Sequence, residues 1–259
     1  MPLKAQVPRA VAMLSPEQIA GFAADGYLAP LSALDAGALA DCRRSVEGFI
    51  EARGGAAAGV ARGALRTKAH LRCPALLDLV RRPAILDAIE GLLGPDLLCR
   101  SVSIFLKEPG DPAHVAWHQD AAYWGLEPPD VVTAWVALTD STVENGALRV
   151  LPGSHRAPLL PHGPSGDPAN LLSNGQQITV AIDPGRSRTL PLRAGEMSLH
   201  HVGTAHSSEP NRSATRRIGV AIRYVAAHVR KQGPRRDSAI LVRGTDRHGN
   251  FDPEPNLAG

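Results

Sequence analysis

"DLLCRSVSIFL", residues 96–106, marks a change of texture in this chain. Ahead of it, up to the Gly94–Pro95 break, the apolar residues recur at helical spacing. Beyond it come further short apolar runs: HVAWHQD (114–120), VVTAWVAL (131–138), ALRVL (147–151), QITVAI (177–182), TLPL (189–192), EMSLHHV (196–202) and RIGVAIRYV (217–225). Gly, Pro, Asn and Asp separate them. Many short strands after a helical prelude predict an antiparallel sandwich or barrel that carries helices on one side, a mainly β fold with flanking helices.

The prelude opens on SPEQIAGFAADGYL (15–28). Ser15 suits an N-cap, Pro16 the first helical position, and Gln18 completes a capping box. Gly26 should end this helix before a short strand at Tyr27. Leu34 to Arg53 reads as a second helix, with Leu39, Val46 and Ile50 on one face. GGAAAGVARG (54–63) reads as a flexible loop, and Pro74 to Gly94 as two short helices divided at Pro83. The basic, turn-rich stretch from Ala226 reads as a covering segment. With no repeat and no clear linker, the expectation is a single domain: a helical part over 1–95, a β core over 96–225 and a covering segment over 226–259.

The chain has 259 residues, 44% of them hydrophobic and 20% charged, the composition of a soluble globular protein with a full core. Its formal charge of +3 is too small to imply nucleic acid. The three cysteines, Cys42, Cys73 and Cys99, are too far apart for a zinc knuckle and support no disulfide framework. The N-terminal MPLKAQVPRAVAML has no signal-peptide core, and no run approaches a membrane span. A cytoplasmic protein without membrane or nucleic-acid partners is expected.

The chemistry starts at AWHQDAAYW (116–124). On a strand, residues i and i+2 share a face, so His118 and Asp120 would present an imidazole and a carboxylate together, with Gln119 turned away. A metal needs a third ligand. Among the remaining histidines His206 stands out, because its segment leads straight into the strand RIGVAIRYV. His200 and His201 lie close enough in sequence to compete for the role. Two histidines and a carboxylate form the facial set that binds Fe(II) and leaves positions for co-substrate and oxygen. Arg217, eleven residues after His206, carries a planar fork suited to a carboxylate such as the distal one of 2-oxoglutarate. Thr133 and Trp135 share a strand face and could line that pocket. Equally, Trp135 could be core, and Arg217 half of a surface ion pair.

Taken together and in order, WHQD, VVTAWVALTDSTVENGALRVLPGSHR and AGEMSLHHVGTAHSSEPNRSATRRIGVAIRYV resemble the phytanoyl-CoA dioxygenase family of Fe(II)- and 2-oxoglutarate-dependent oxygenases, over roughly Leu14 to Val225. The resemblance implies a double-stranded β-helix (jelly-roll, cupin-like) core. It implies that His118, Asp120 and His206 hold iron, that Arg217 takes the far carboxylate of 2-oxoglutarate, and that Ser208 and Trp135 assist. The wording also resembles the branch of non-haem iron halogenases, in which the carboxylate ligand is replaced by alanine or glycine. Here Asp120 is retained, so hydroxylation of an unactivated carbon is expected, with O2 consumed and succinate and CO2 released. Desaturation, epimerisation or cyclisation would use the same cofactors. A zinc metallohydrolase would need neither Arg217 nor Trp135, and a cupin-like binding protein would need no iron.

Tyr123, Trp124, Lys107, Arg223 and His201 are the candidates for contacting substrate. A small natural-product intermediate or an amino acid is expected, free or linked to CoA or a carrier protein.

Overall fold

The computed structural model describes residues 13–54, 65–172 and 176–254. Most of the expected loop at 54–63 lies outside these residues. Helix α1 (Pro16–Asp25) starts on the expected capping box: the Ser15 hydroxyl accepts from the Gln18 amide at 3.2 Å and Gln18 Oε1 from the Ser15 amide at 2.9 Å. It stops at Gly26, whose φ of 79° is the left-handed cap glycine favours. Helix α2 (Ala36–Glu51) is shorter at both ends than the sequence suggests; at its start the Asp35 carboxylate caps it by accepting from the Ala38 amide. Helices α3 (Pro74–Val80) and α4 (Pro83–Leu93) each begin on a proline, as expected. A one-turn helix, α5 (Ala121–Trp124), follows later.

Fifteen strands are described. They are β1 (Tyr27–Ser32), β2 (Leu97–Lys107), β3 (Val115–His118), β4 (Leu126–Glu127), β5 (Val131–Ala137), β6 (Leu148–Val150), β7 (His162–Pro164) and β8 (Gln176–Ile178), then β9 (Arg188–Leu190), β10 (Glu196–His201), β11 (His206–Ser208), β12 (Arg217–Ala226), β13 (Arg230–Lys231), β14 (Ser238–Arg243) and β15 (Asp252–Pro253). The major sheet runs β1-β10-β5-β12-β2-β14-β15, the minor one β3-β11-β6-β9, and β4-β13 and β7-β8 pair separately. This is the expected jelly-roll core.

Period-2 alternation gives the major sheet two different faces. Val132, Ala134 and Val136 of β5 and Ile218, Val220, Ile222 and Tyr224 of β12 pack outward into one cluster with Val46, Ile50, Leu76, Leu79, Ile85 and Ile89 of the helices. The Tyr224 hydroxyl pins that contact by donating to the Val80 carbonyl at 2.8 Å. The intervening residues, Thr133 and Trp135 of β5 and Arg217, Ala221 and Arg223 of β12, line a cavity on the inner face. With helices on one side and a cavity on the other, nine of the ten β12 residues are buried.

The segment after Ala226, expected only to cover the core, contributes strand β14, which pairs antiparallel with β2 and lengthens the major sheet. Its apolar run Ala239–Val242 is short and flanked by basic residues, which hides the strand in the sequence. A polar clasp holds this end: the Lys68 ammonium donates to the Ser238 hydroxyl and to Glu254, and His70 Nε2 lies 3.4 Å from Glu254. Burial raises the Glu254 pKa, but His70, Lys68 and Ser238 outweigh it and bring it to about 2. Stability from a carboxylate with a lowered pKa is present above its ordinary value and is lost as pH falls through the folded one. Acid unfolding of the wild type should therefore show a pH-dependent loss between 4.5 and about 2, and Glu254→Gln should flatten that window while lowering stability at neutral pH. Denaturant unfolding at a series of pH values checks it; parallel curves for the two proteins would refute it. No helix among the described residues is long and apolar enough to cross a membrane.

Candidate metal centre and co-substrate pocket

His118 ends β3 and His206 begins β11, and the antiparallel register sets them opposite each other, with ring centroids 4.0 Å apart. Asp120 joins them by a route the strand rule did not foresee. The strand stops at His118, and Asp120, with φ −58° and ψ −33°, already follows the turn into α5. Gln119 is drawn away: its Nε2 donates to the Gly203 carbonyl at 2.7 Å and its Oε1 accepts from the Leu160 amide at 2.8 Å. All three candidate ligands are buried, with one donor atom from each lying within 4.8 Å of the others.

The backbone sets the tautomers. His118 Nδ1 faces the Ala116 carbonyl at 3.0 Å and His206 Nδ1 the Thr204 carbonyl at 2.9 Å. A carbonyl only accepts, so each Nδ1 carries the proton and each Nε2 keeps its lone pair for a metal. Burial, and then the neighbouring His118 and His200, push the His206 imidazole well below its usual pKa. Burial works the other way on Asp120, but the surrounding His118, His206 and Arg223 hold its carboxyl below the usual carboxylate range. Neutral imidazoles and an ionised carboxylate are the ligand forms. The residues fit a divalent metal.

Across the cavity, the inner face of the major sheet is graded along β12. One rung holds His200, Thr133, Arg223 and Ser101; the next Ser198, Trp135, Ala221 and Ser103; Gly219 pairs with Ala137 and Phe105; the last pair is Arg217 with Lys107. Small residues hollow out the middle. Gly219 makes room for the indole, since a Cβ there would stand 2.0 Å from Trp135 Cζ2. Trp135 in turn lies 5.3 Å from the Arg217 guanidinium carbon. Arg217 is buried and, among the described residues, gives one hydrogen bond, from Nη1 to the Gly146 carbonyl at 2.6 Å, while its Nε has no partner there. Burial lowers its pKa to about 10. A buried cation with an idle donor is costly unless an anion joins it, so the residues fit a carboxylate co-substrate.

Ser208 lines the same end, donating to the Gly146 carbonyl at 2.9 Å and accepting from the Lys107 ammonium. Lys107 is buried behind Ser208, outside the cavity lining, where burial and the Arg217 charge pull its pKa to about 6. The lined space is about 320 Å³.

The family model for phytanoyl-CoA dioxygenase matches residues 22–219. The chain belongs to the phytanoyl-CoA dioxygenase family. It is 34% identical over 160 residues to a probable alpha-ketoglutarate-dependent hypophosphite dioxygenase of Stutzerimonas stutzeri, covering 61% of this chain and 55% of that protein. It is 33% identical over 163 residues to L-proline trans-4-hydroxylase of Streptomyces griseoviridis, covering 56% and 61%. The matches thus span little more than half of these relatives. Among solved structures it is similar to the non-heme monooxygenase ThoJ, with a TM-score of 0.80 and 37% identity over 92% of this chain and 87% of that one. The epimerase SnoN, solved with Fe3+, alpha ketoglutarate and nogalamycin RO, superposes with a TM-score of 0.68 and 26% identity over 84% and 85%.

Of the residues nominated for substrate, this family member brings Tyr123, Trp124 and Arg223 to the cavity wall. Tyr123 donates to the Gln176 carbonyl at 3.0 Å and stands 6.0 Å, ring to ring, from His118. His201 is not brought there. Strand parity sends it to the other side of β10, beside Phe22 and His155, where its Nδ1 accepts from the Gly203 amide. His200 takes the inward position instead, 4.5 Å from the His206 ring and with both nitrogens unpartnered. Arg66, Lys68, Arg100 and Asp237 also line the cavity. The sequence carried no sign of these four, which arrive from the segment between α2 and α3, a bulge and the C-terminal segment.

Proposed function

We propose that this chain is an Fe(II)- and 2-oxoglutarate-dependent oxygenase that hydroxylates an unactivated carbon of a small molecule, releasing succinate and CO2, and that it works as one domain. One observation carries the reading: a buried two-histidine, one-carboxylate set faces a cavity whose far end holds an unneutralised arginine. When bound, ferrous iron and 2-oxoglutarate supply the oxidising chemistry. The chain's own groups orient and enclose. His118, Asp120 and His206 would hold the metal, with the Ala116 and Thr204 carbonyls fixing the ring orientations. Arg217 would take the distal carboxylate of 2-oxoglutarate, with Ser208 beside it and Trp135 and Thr133 along its length.

Asp120 occupies the position a halide would need, which favours hydroxylation over halogenation. Relatives described as acting on hypophosphite and L-proline support a small substrate, whereas those described as an epimerase and a carbocyclase show that related chains reach other outcomes. The test is anaerobic reconstitution with Fe(II) and 2-oxoglutarate. A weak visible charge-transfer band, followed by succinate on admission of oxygen, is the expected result; iron-loaded protein giving neither would overturn the reading in favour of a zinc hydrolase or a binding protein.

A further inference from the structure

Arg223 is a second unneutralised cation on β12. Six residues from Arg217 and on the same face, its Cα lies about 20 Å further along the strand at roughly 3.3 Å per residue. Its hydrogen bonds run from Nη1 to the Ser103 hydroxyl at 2.7 Å and, more weakly, to the Ala221 carbonyl, and it makes no ion pair among the described residues. It is less completely buried than any other β12 residue, and it lines the cavity.

The rest of the wall is also cationic, although Lys68 is paired with Glu254 and Arg66 is not free. Among the residues lining the cavity, Arg66, Lys68, Arg100, Arg217 and Arg223 are cationic, while Asp120 and Asp237 are the carboxylates. Asp120 belongs to the metal set. Asp237 is engaged by Arg100 at 2.6 Å and lies 3.6 Å from Lys68.

Local backbone geometry builds this wall. The register between β12 and β2 slips between Arg223↔Ser101 and Tyr224↔Cys99, leaving Arg100 as the extra residue of a bulge. A bulge re-aims a side chain; here it lets Arg100, next to inward-facing Ser101, reach the cavity as well. The Arg100 and Arg223 guanidinium carbons lie 4.9 and 5.5 Å from the Trp124 ring, so the indole is held by two cations immediately after the Asp120 turn. With Arg100 held by Asp237, Arg223 is the cation beside Trp124 that has no carboxylate partner among the described residues, a position suited to an oxyanion.

We propose that the substrate is a small anion whose carboxylate or phosphorus oxyanion docks on Arg223, flanked by Arg100 and Trp124, so that the rest of the molecule extends towards His118 and Asp120. This rests on the oxygenase reading and adds the substrate class. The cavity, at about 320 Å³, sits at the lower end of the roughly 300–1,000 Å³ of ligand pockets, and 2-oxoglutarate must share it. The anion is therefore compact.

The test uses protein loaded anaerobically with Fe(II) and saturated with 2-oxoglutarate, so that Arg217 is occupied. Thermal unfolding is followed in sodium acetate and in sodium hypophosphite, against sodium chloride at equal ionic strength. One oxyanion should raise Tm above the chloride reference; acetate alone would identify a carboxylate, and hypophosphite alone a phosphorus oxyanion. Arg223→Gln should abolish the rise and weaken the titrated anion roughly tenfold to a hundredfold, the range for one charge-assisted hydrogen-bonded contact. Arg223→Lys, which keeps the charge without the fork, should fall between, and it serves alone if the glutamine variant does not fold. Oxyanions that act no differently from chloride, or that act equally on wild type and the Arg223 variants, overturn the proposal. Wild type that fails to bind 2-oxoglutarate at all refutes the oxygenase reading instead, a result read before any anion is added.

Discussion

Arg217→Ala should weaken 2-oxoglutarate binding by about 2–5 kcal/mol, the range for truncating one partner of a buried charge pair, or roughly 30-fold to more than 1,000-fold in Kd. The reason lies in what surrounds the guanidinium. It lines the cavity with an unpartnered Nε, against Trp135 and beside Ser208 and Lys107, with no carboxylate among the described residues paired to it. An incoming carboxylate would gain charge and geometry together. Isothermal titration of the iron-loaded protein measures the loss. Stability without 2-oxoglutarate should change in the opposite sense or hardly at all, because the buried, unneutralised cation of Arg217 disfavours the folded state. A variant with wild-type affinity would remove Arg217 from the co-substrate site.

The second large effect concerns the metal. His206→Ala should abolish Fe(II) binding at micromolar metal and with it the charge-transfer band, a loss exceeding the roughly 10- to 100-fold that removal of an outer hydrogen-bonding partner costs. His118 and Asp120 would remain, turned towards the same point but a ligand short of the facial set. Replacing the neighbouring His200 separates ligand from neighbour. Its ring is 4.5 Å from that of His206, yet it belongs to β10 in the major sheet and stands outside the three-donor cluster. His200→Phe should therefore keep iron. Metal analysis after gel filtration decides between the two; iron retained by His206→Ala and lost by His200→Phe would exchange their roles.

These expectations show where sequence reading is strong. The capping box at Ser15 and Gln18, the prolines that start α3 and α4, and the runs that became β2, β5, β10 and β12 depend on neighbours within a few residues, and local rules cover them. His118, Asp120, His206 and Arg217 were nominated by type and spacing, and the fold brings them to one cavity. Asp120 reaches the site by another route than strand parity, though. Strand parity would have aligned it with His118, whereas the chain turns into α5 to place it. Parity also separates His201 from His200, and that could be settled only once the pairing of β10 with β5 had fixed which face looked inward.

From the sequence alone came the mainly β class, the ligand types, and the resemblance that named iron and 2-oxoglutarate, because these reside in residue identity and short-range order. The tertiary structure alone decided that β14 extends the major sheet, that Gly219 yields space to the Trp135 indole, and that a bulge at Arg100 helps gather cations around Trp124. Each of these depends on which distant segments pair and in what register. A shift of one residue sends every side chain of a strand to the opposite face, so the charge of the cavity wall is a property of the assembled sheet.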